Sequence, residues 1–221
     1  MKNYDLLKLR GEHVISVSNT FVHPDYSRIK PMYHVLPSLL QSHGHIHERE
    51  QLVTWLKQME QSIGGAEIFL HFGDKALIEQ SGLFNGIRIH WVEYSPWNGA
   101  FDVPIDLKRI PSIGSVSELA LTLAIFLGYD NIYLLGIDHD WFNGLFVYFY
   151  DHATQHVMRP NQDTLSFADS EFQMRRHADI FRKYKYLRSL HPGIYNVNLN
   201  PNHYLDVFPK VDYASLFNKT T

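Results

Sequence analysis

The chain has no cysteine, which excludes disulfides, thiolate zinc sites and thiol nucleophiles, and fits a reducing compartment. It has no apolar run near the ~20 residues that a membrane-spanning helix needs. Its polar start, MKNYDLLKLRGEH, has no resemblance to a signal peptide, so a cytoplasmic protein is expected. It also lacks an excess of positive charge. With 20 basic and 23 acidic residues the net charge is −3, which gives no electrostatic reason to expect nucleic-acid binding. No internal repeat and no low-complexity tract is visible.

What is present is an ordinary globular composition, 45% hydrophobic and 19% charged, over 221 residues, enough for one domain over 1–221 with a substantial core. The 14 histidines and 13 tyrosines suit a site that handles polar, planar or phosphorylated ligands.

The most informative stretch is Pro111 to Asp140. Val116, Leu119, Ala120, Leu123, Ala124 and Leu127 fall at the spacing of one buried helix face. Ser115 with Glu118 three places on has the form of a capping box, and Gly128 is a left-handed stop. Ile132 to Leu135 then reads as a strand buried on both faces, as in parallel sheets. A helix running down to Gly128 and a strand running back to Gly136 put Gly114-Ser115 and Asp138-His139-Asp140 at one edge of a sheet. That edge is where ligands sit in open α/β folds. The helix start offers N–H groups to an anion, although Glu118 competes for them.

Elsewhere a strand–helix–strand rhythm predicts strands at His13–Ser18, Met32–Leu36, Glu67–Phe72, Ile87–Val92 and Ile194–Val197. Helices are predicted at 48–61, 73–81 and 169–190. On the last helix Phe172, Ile180, Phe181, Tyr184 and Leu187 form the expected inner face, with Arg175, Arg176, Arg182 and Lys183 outward. The fold class is α/β, Rossmann-like and doubly wound, with a mostly parallel sheet, helices on both faces and an aromatic lid. Residues 93–110 read as a long loop. The lid is placed at about 141–168, where WFNGLFVYFY packs over the ligand edge, inserts at a membrane surface or buries in a dimer contact.

Ser18, Asn19 and Thr20 end the first strand, where they meet a base, ribose or phosphate or else cap the turn. Asp138 and Asp140 are spaced to hold a divalent cation with His139 as acid, base or ligand; the reading preferred for Asp138 is a structural or nucleotide contact. The tract His43, His45, His47 is metal-like but lacks carboxylate partners, so a solvated loop is expected.

The stretch GSVSELALTLAIFLGYDNIYLLGID resembles the domain family named after the 6-hydroxymethylpterin diphosphokinase MptE, which also covers parts of the motility accessory factors. LGYDNIYLLGID is also similar to small bacterial sialyltransferases that use cytidine-monophosphate sugars, a likeness extending weakly to Pro201-Asn202. The resemblance implies a transferase of bacterial surface-polysaccharide synthesis, working from a nucleotide-sugar donor on a glycan acceptor. It implies no cofactor and a cytoplasmic location, with contact at the inner face of the membrane and a homo-oligomeric state both left open. It gives Asn19 a nucleotide contact and Gly114-Ser115 the donor phosphate. Asn143 with Tyr148 or Tyr150 falls to the departing phosphate, Asn202 to the last loop, and His152 or His156 is the acceptor's base by position. The family's opening strand and Gly-Asn-Gly-Pro-Ser loop have no counterpart, which implies either a truncated start or the lack of a central strand. A magnesium- and nucleoside-triphosphate-dependent pterin diphosphokinase and a non-catalytic nucleotide-binding or assembly subunit are the alternatives.

Overall fold

The structure, a computed structural model, describes residues 4–40, 49–96, 106–137, 139, 167–197 and 205–218, with the side chains of 167–170 excepted. It is a mixed α/β fold built on a parallel sheet of four strands, β1 (Ile15–Val17), β2 (Tyr33–Val35), β3 (Glu67–His71) and β4 (Ile89–Val92), in that order. Each predicted strand is present and shorter than predicted by one to three residues. The strand start is lost at His13 and the end at Ser18, which adopts φ 44° and opens a 3-10 turn, Ser18–Val22.

Alternation along the strands sorts the helices. Ile68 and Leu70 of β3 pack with α2 (Arg49–Ser62) and α3 (Lys75–Ser81) in a cluster that includes Leu52, Trp55, Leu56, Met59 and Ile78. Phe69 between them points the other way and packs with Val35, Val92, Leu119 and Leu123, the last two from α4 (Val116–Phe126). Both faces of the sheet are covered because successive side chains leave a strand on opposite sides. A one-turn helix, α1 (Tyr26–Ile29), lies between β1 and β2 and was not predicted.

The segment read as a loop contains two short strands. β5 (Tyr94–Ser95) and β6 (Ile110–Pro111) pair in parallel, and Ser112 N–H donates to Ser95 O at 2.8 Å. This pairing has no hydrophobic period to announce it, and it sets where the chain enters α4. A second parallel pair, β7 (Ile132–Leu134) with β8 (Ile194–Asn196), lies beyond α4. β7 is not buried on both faces as expected: Ile132 and Leu134 are buried, while Tyr133 is 46% exposed and stacks on Tyr195 at 5.3 Å.

α4 is buried on more than the predicted stripe. Leu119 and Leu123 face the four-stranded sheet, whereas Leu121 and Ala124 join a separate cluster with Ile132, Leu134, Ile180, Tyr184, Leu187, Leu205 and Phe208. The helix is therefore held between the sheet on one side and α5 (Phe167–Leu190) with β7 on the other. Each fully buried leucine here contributes about 1.5–3 kcal/mol. On α5, Ile180, Tyr184 and Leu187 are buried as predicted, but Phe172 is 62% exposed. Among the described residues no helix is long and apolar enough to cross a membrane.

Candidate functional site

The direction of α4 fixes which sheet edge carries the site. Tyr129, just past its C-terminus, reaches the residues that precede β1 and β2: its ring lies 5.5 Å from His13 and its hydroxyl 3.8 Å from Met32 Sδ. The C-terminus of α4 is thus at the N-terminal edge of the strands, and its N-terminus is at their C-terminal edge. The turn Ser18–Thr20 that follows β1 shares that C-terminal edge.

The helix start is capped as its sequence predicts. Ser115 Oγ accepts from Ser117 N–H at 3.3 Å, and Glu118 Oε2 accepts from Ser115 N–H at 2.9 Å and from Gly114 N–H. The backbone donors of Gly114 and Ser115 are therefore already bonded, which removes them as ready anion ligands. α5 closes over the same loop. Arg176 Nε donates to Gly114 O at 2.7 Å, Lys183 Nζ donates to Ser112 O, and Ile180 packs against Gly114 closely enough that a Cβ there would lie 2.8 Å from Ile180 Cγ1. Arg176 and Lys183 turn inward, against the expectation of a wet basic face, whereas Arg175 and Arg182 do pair outward with Glu171 and Asp179. Lys183 also lies 3.9 Å from Glu118 Oε1, and both side chains are buried. Burial pushes the Glu118 carboxyl up, and Lys183, the Gly114 and Ser115 N–H groups and Arg176 partly counter it.

The strand tip after β7 comes to this helix start. His139, with φ 54°, places Nε2 3.2 Å from Ser117 Oγ and 2.8 Å from Tyr184 Oη; the two hydroxyl oxygens are 2.8 Å apart. Ser115 Oγ extends the chain at 2.6 Å from Ser117 Oγ. Burial, with His177 and Arg176 nearby, lowers the His139 pKa to about 3, so the ring is neutral at pH 7. It acts there as a hydrogen-bonding group rather than a charge. Burial likewise raises the Tyr184 phenol, which stays protonated. A non-glycine residue in the left-handed region, within a buried polar network at a sheet edge, is the kind of strain found where a site is built.

A second triangle of the same three residue types lies in the core. Ser16 Oγ is 2.8 Å and Tyr26 Oη 2.9 Å from His34 Nδ1, and the two oxygens are 3.0 Å apart. Ser16 and His34 are register partners in the middle of β1 and β2, so this triangle sits on the body of the sheet rather than at its edge. Burial lowers the His34 pKa to about 3.

Of the predicted residues, Ser115 and His139 are brought together, bridged by Ser117. Asn19 Oδ1 accepts from Trp55 Nε1 at 2.6 Å, and Thr20 Oγ1 accepts from Val17 N–H at 3.1 Å while donating to Val17 O. Thr20 is thus a turn cap. Asp138, Asp140, Asn143, Tyr148, Tyr150, His152, His156 and Asn202, with the 141–166 part of the lid and the tract His43–His47, lie outside the described residues. Among the described residues no group of three His, Asp or Glu could hold a metal ion.

Sequence reasoning missed Ser117, Tyr184, Lys183 and Arg176. The spacing of α5 shows Tyr184 only as an apolar contact, but a buried tyrosine usually finds a partner for its hydroxyl, and that is the available signal. It also missed Asp74, read as a helix start. Its buried carboxylate reaches back to accept from Leu39 N–H at 2.8 Å and Leu40 N–H at 3.0 Å, tying the loop after β2 to the turn after β3. No family model matches the chain, and no curated protein and no solved structure matches it.

Proposed function

We propose that the protein is a Rossmann-like, doubly wound transferase that takes a nucleotide-activated sugar at the C-terminal edge of its parallel sheet. In this reading the donor lies between the turn Ser18–Thr20 and the helix start, and a glycan hydroxyl is the acceptor. The observation that carries it is the contact of His139 with Ser117 and Tyr184, because it joins the tip of β7 to the start of α4 at the edge where open α/β sheets bind ligands. The acceptor oxygen bonds to the anomeric carbon as the bond to phosphate breaks, and the acceptor's proton goes to a base, His152 or His156 in this reading. Tyr148 or Tyr150 assists the leaving phosphate. Catalysis is then mainly positioning and stabilisation of the departing anion. The proposed setting is the cytoplasmic face of a membrane where surface glycans are made.

One observation favours a second reading, a non-catalytic nucleotide-binding or assembly subunit. Glu118 takes the N–H groups of Gly114 and Ser115, and Thr20 takes both backbone groups of Val17, so several polar groups of the edge are spent inside the protein. A panel of nucleotide sugars separates the two. Release of the donor's own nucleotide, a monophosphate from a CMP-sugar or a diphosphate from a nucleoside-diphosphate sugar, reduced in His139→Ala and His152→Ala, is expected of the transferase. Saturable binding with no turnover supports the subunit, and neither binding nor turnover over the panel rejects both.

A further inference from the structure

The lysines and arginines of α5 divide by what they meet. Arg175 and Arg182 pair with Glu171 and Asp179, acids one turn earlier on the same helix, while Arg176 and Lys183 turn in to the carbonyls of Gly114 and Ser112. Lys185 and Arg188 are different. Neither has an acid three or four places away in either direction, so neither can form a pair along the helix. Three positions apart, they share one helix face. Together with Asp206 and Val207 they line a cleft of about 340 Å³. That volume is at the small end of the roughly 300–1,000 Å³ typical of small-molecule sites.

The base of this cleft is fixed. Val207 is buried and its carbonyl accepts from Arg188 Nη1, and the next residue, Phe208, is buried with its ring 5.4 Å from that of Tyr184. Arg188 is thereby anchored through one nitrogen, and its planar fork has further N–H donors for a second partner. Lys185 and Asp206 are exposed, and among the described residues neither has a hydrogen-bond or ion-pair partner. Opposite charges thus line one cleft without being joined to each other. Two cations against one acid leave a surplus of one positive charge.

We propose that this cleft is a binding site for a small anion flanked by hydroxyls, a sugar acid or a sugar phosphate, with Lys185 and Arg188 on the anionic oxygens and Asp206 accepting from a hydroxyl. The two cations draw an anion into the cleft, and a charge-assisted bond to each holds it there. Asp206 repels a bare anion, so it contributes only to a ligand that brings a donor beside its charge. A sugar ring does this. A zwitterion would also supply a donor, but it is neutral and forgoes the surplus positive charge. The cleft shares no residue with the network of Ser115, Ser117, His139 and Tyr184, so the inference is independent of the nucleotide reading above.

The test is a chemical-shift titration of the full chain at constant ionic strength, read at the backbone amides of Arg188, Asp206 and Val207. The probes are glucuronate, glucose 6-phosphate, glucose, acetate and inorganic phosphate. Saturable shifts at these amides are expected with glucuronate or glucose 6-phosphate, and the tighter of the two tells whether a carboxylate or a phosphate is preferred. Glucose, which has the hydroxyls without the charge, should give none. Lys185→Gln should weaken the preferred probe by about three- to tenfold. Asp206→Ala should narrow the advantage of the sugar anion over its bare counterpart, acetate or inorganic phosphate, by about threefold or more. Both residues are exposed and without partners among the described residues, so both variants should keep the wild-type fold. Shifts that do not saturate, glucose binding as well as the anions, or an affinity in Lys185→Gln within about twofold of wild type overturns the anion site. A bare anion that binds wild type as tightly as its sugar, or an advantage unchanged in Asp206→Ala, overturns the hydroxylated ligand.

Discussion

His139 Nε2 and Tyr184 Oη stand 2.8 Å apart across 45 positions of sequence, and Ser117 Oγ touches both. One phenol thus joins three elements, the tip of β7, the first turn of α4 and the C-terminal half of α5. Tyr184→Phe removes that hydroxyl without changing the ring, leaving Ser117 and His139 short of a partner in a buried place. The expected cost is about 1–3 kcal/mol in urea unfolding. Ser117→Ala in the same background should cost less than it does in wild type, by about 0.5–1.5 kcal/mol, because the two changes share one network. Strict additivity would mean that the three groups do not act together.

The buried imidazole also makes a signed prediction for pH. The folded His139 pKa is lowered from 6.5 to about 3, so below pH 6.5 the unfolded chain binds the proton more tightly. Stability owed to this group is full above pH 6.5 and is lost as the pH falls toward 3. His34 acts with the same sign, whereas Asp74 and Glu118, raised by burial, act with the opposite one, their contribution falling as the pH rises through their folded values. His139→Gln isolates one group. The stability gap between wild type and this variant should narrow by about 2 kcal/mol from pH 7 to pH 5. A gap independent of pH would place the folded His139 pKa near its ordinary value.

The parts of this molecule that were readable from sequence are those set by short-range rules. The capping box Ser115–Glu118 and the left-handed stop at Gly128 (φ 81°) both follow from residues within a few positions of one another. What was not readable depends on what packs above an element. α4 is buried on a second side because α5 returns over it, and the same return draws Arg176 and Lys183 inward to the carbonyls of Gly114 and Ser112. No periodicity within α5 distinguishes these two from Arg175 and Arg182, which remain outside. The pairing of β5 with β6 was hidden for a related reason, since two-residue strands carry no period. At the candidate site, the meeting of Ser115 and His139 was expected from topology, but the groups that bridge them came from elsewhere in the chain.

Lys183 holds the charge of Glu118 in a place with little water, 3.9 Å away and with both side chains buried. Lys183→Met should therefore cost about 3 kcal/mol at pH 8, where the carboxylate loses its cation but stays bonded to the Gly114 and Ser115 N–H groups. The loss should be smaller at pH 5, because burial favours the protonated acid. Glu118→Gln added to Lys183→Met should recover half or more of it, since the amide oxygen can still accept from both N–H groups. Urea midpoints at the two pH values check this, and a penalty equal at both would mean that the lysine contributes packing rather than charge.

Gly114 is a steric requirement rather than a conformational one. Its φ is not positive, yet a Cβ at this position would lie 2.8 Å from Ile180 Cγ1, 3.2 Å from Ile180 Cδ1 and 3.3 Å from Glu118 Oε2. Gly114→Ala is expected to destabilise by about 1–3 kcal/mol, as overpacking of a filled space does. Ile180→Ala alone should cost about 2–5 kcal/mol for the cavity it leaves. Together they should cost at least 1 kcal/mol less than their sum, because the new methyl enters the space that the isoleucine vacates. The pair is informative beyond stability. Arg176 and Glu118 grip the two backbone groups of Gly114, so a shift of α5 at Ile180 must move the residue that leads into Ser115. On the ligand-edge reading proposed above, nucleotide binding by the Gly114→Ala variant should fall, and the double variant should regain it along with its stability. If binding stays intact while stability falls, the ligand does not depend on the helix start.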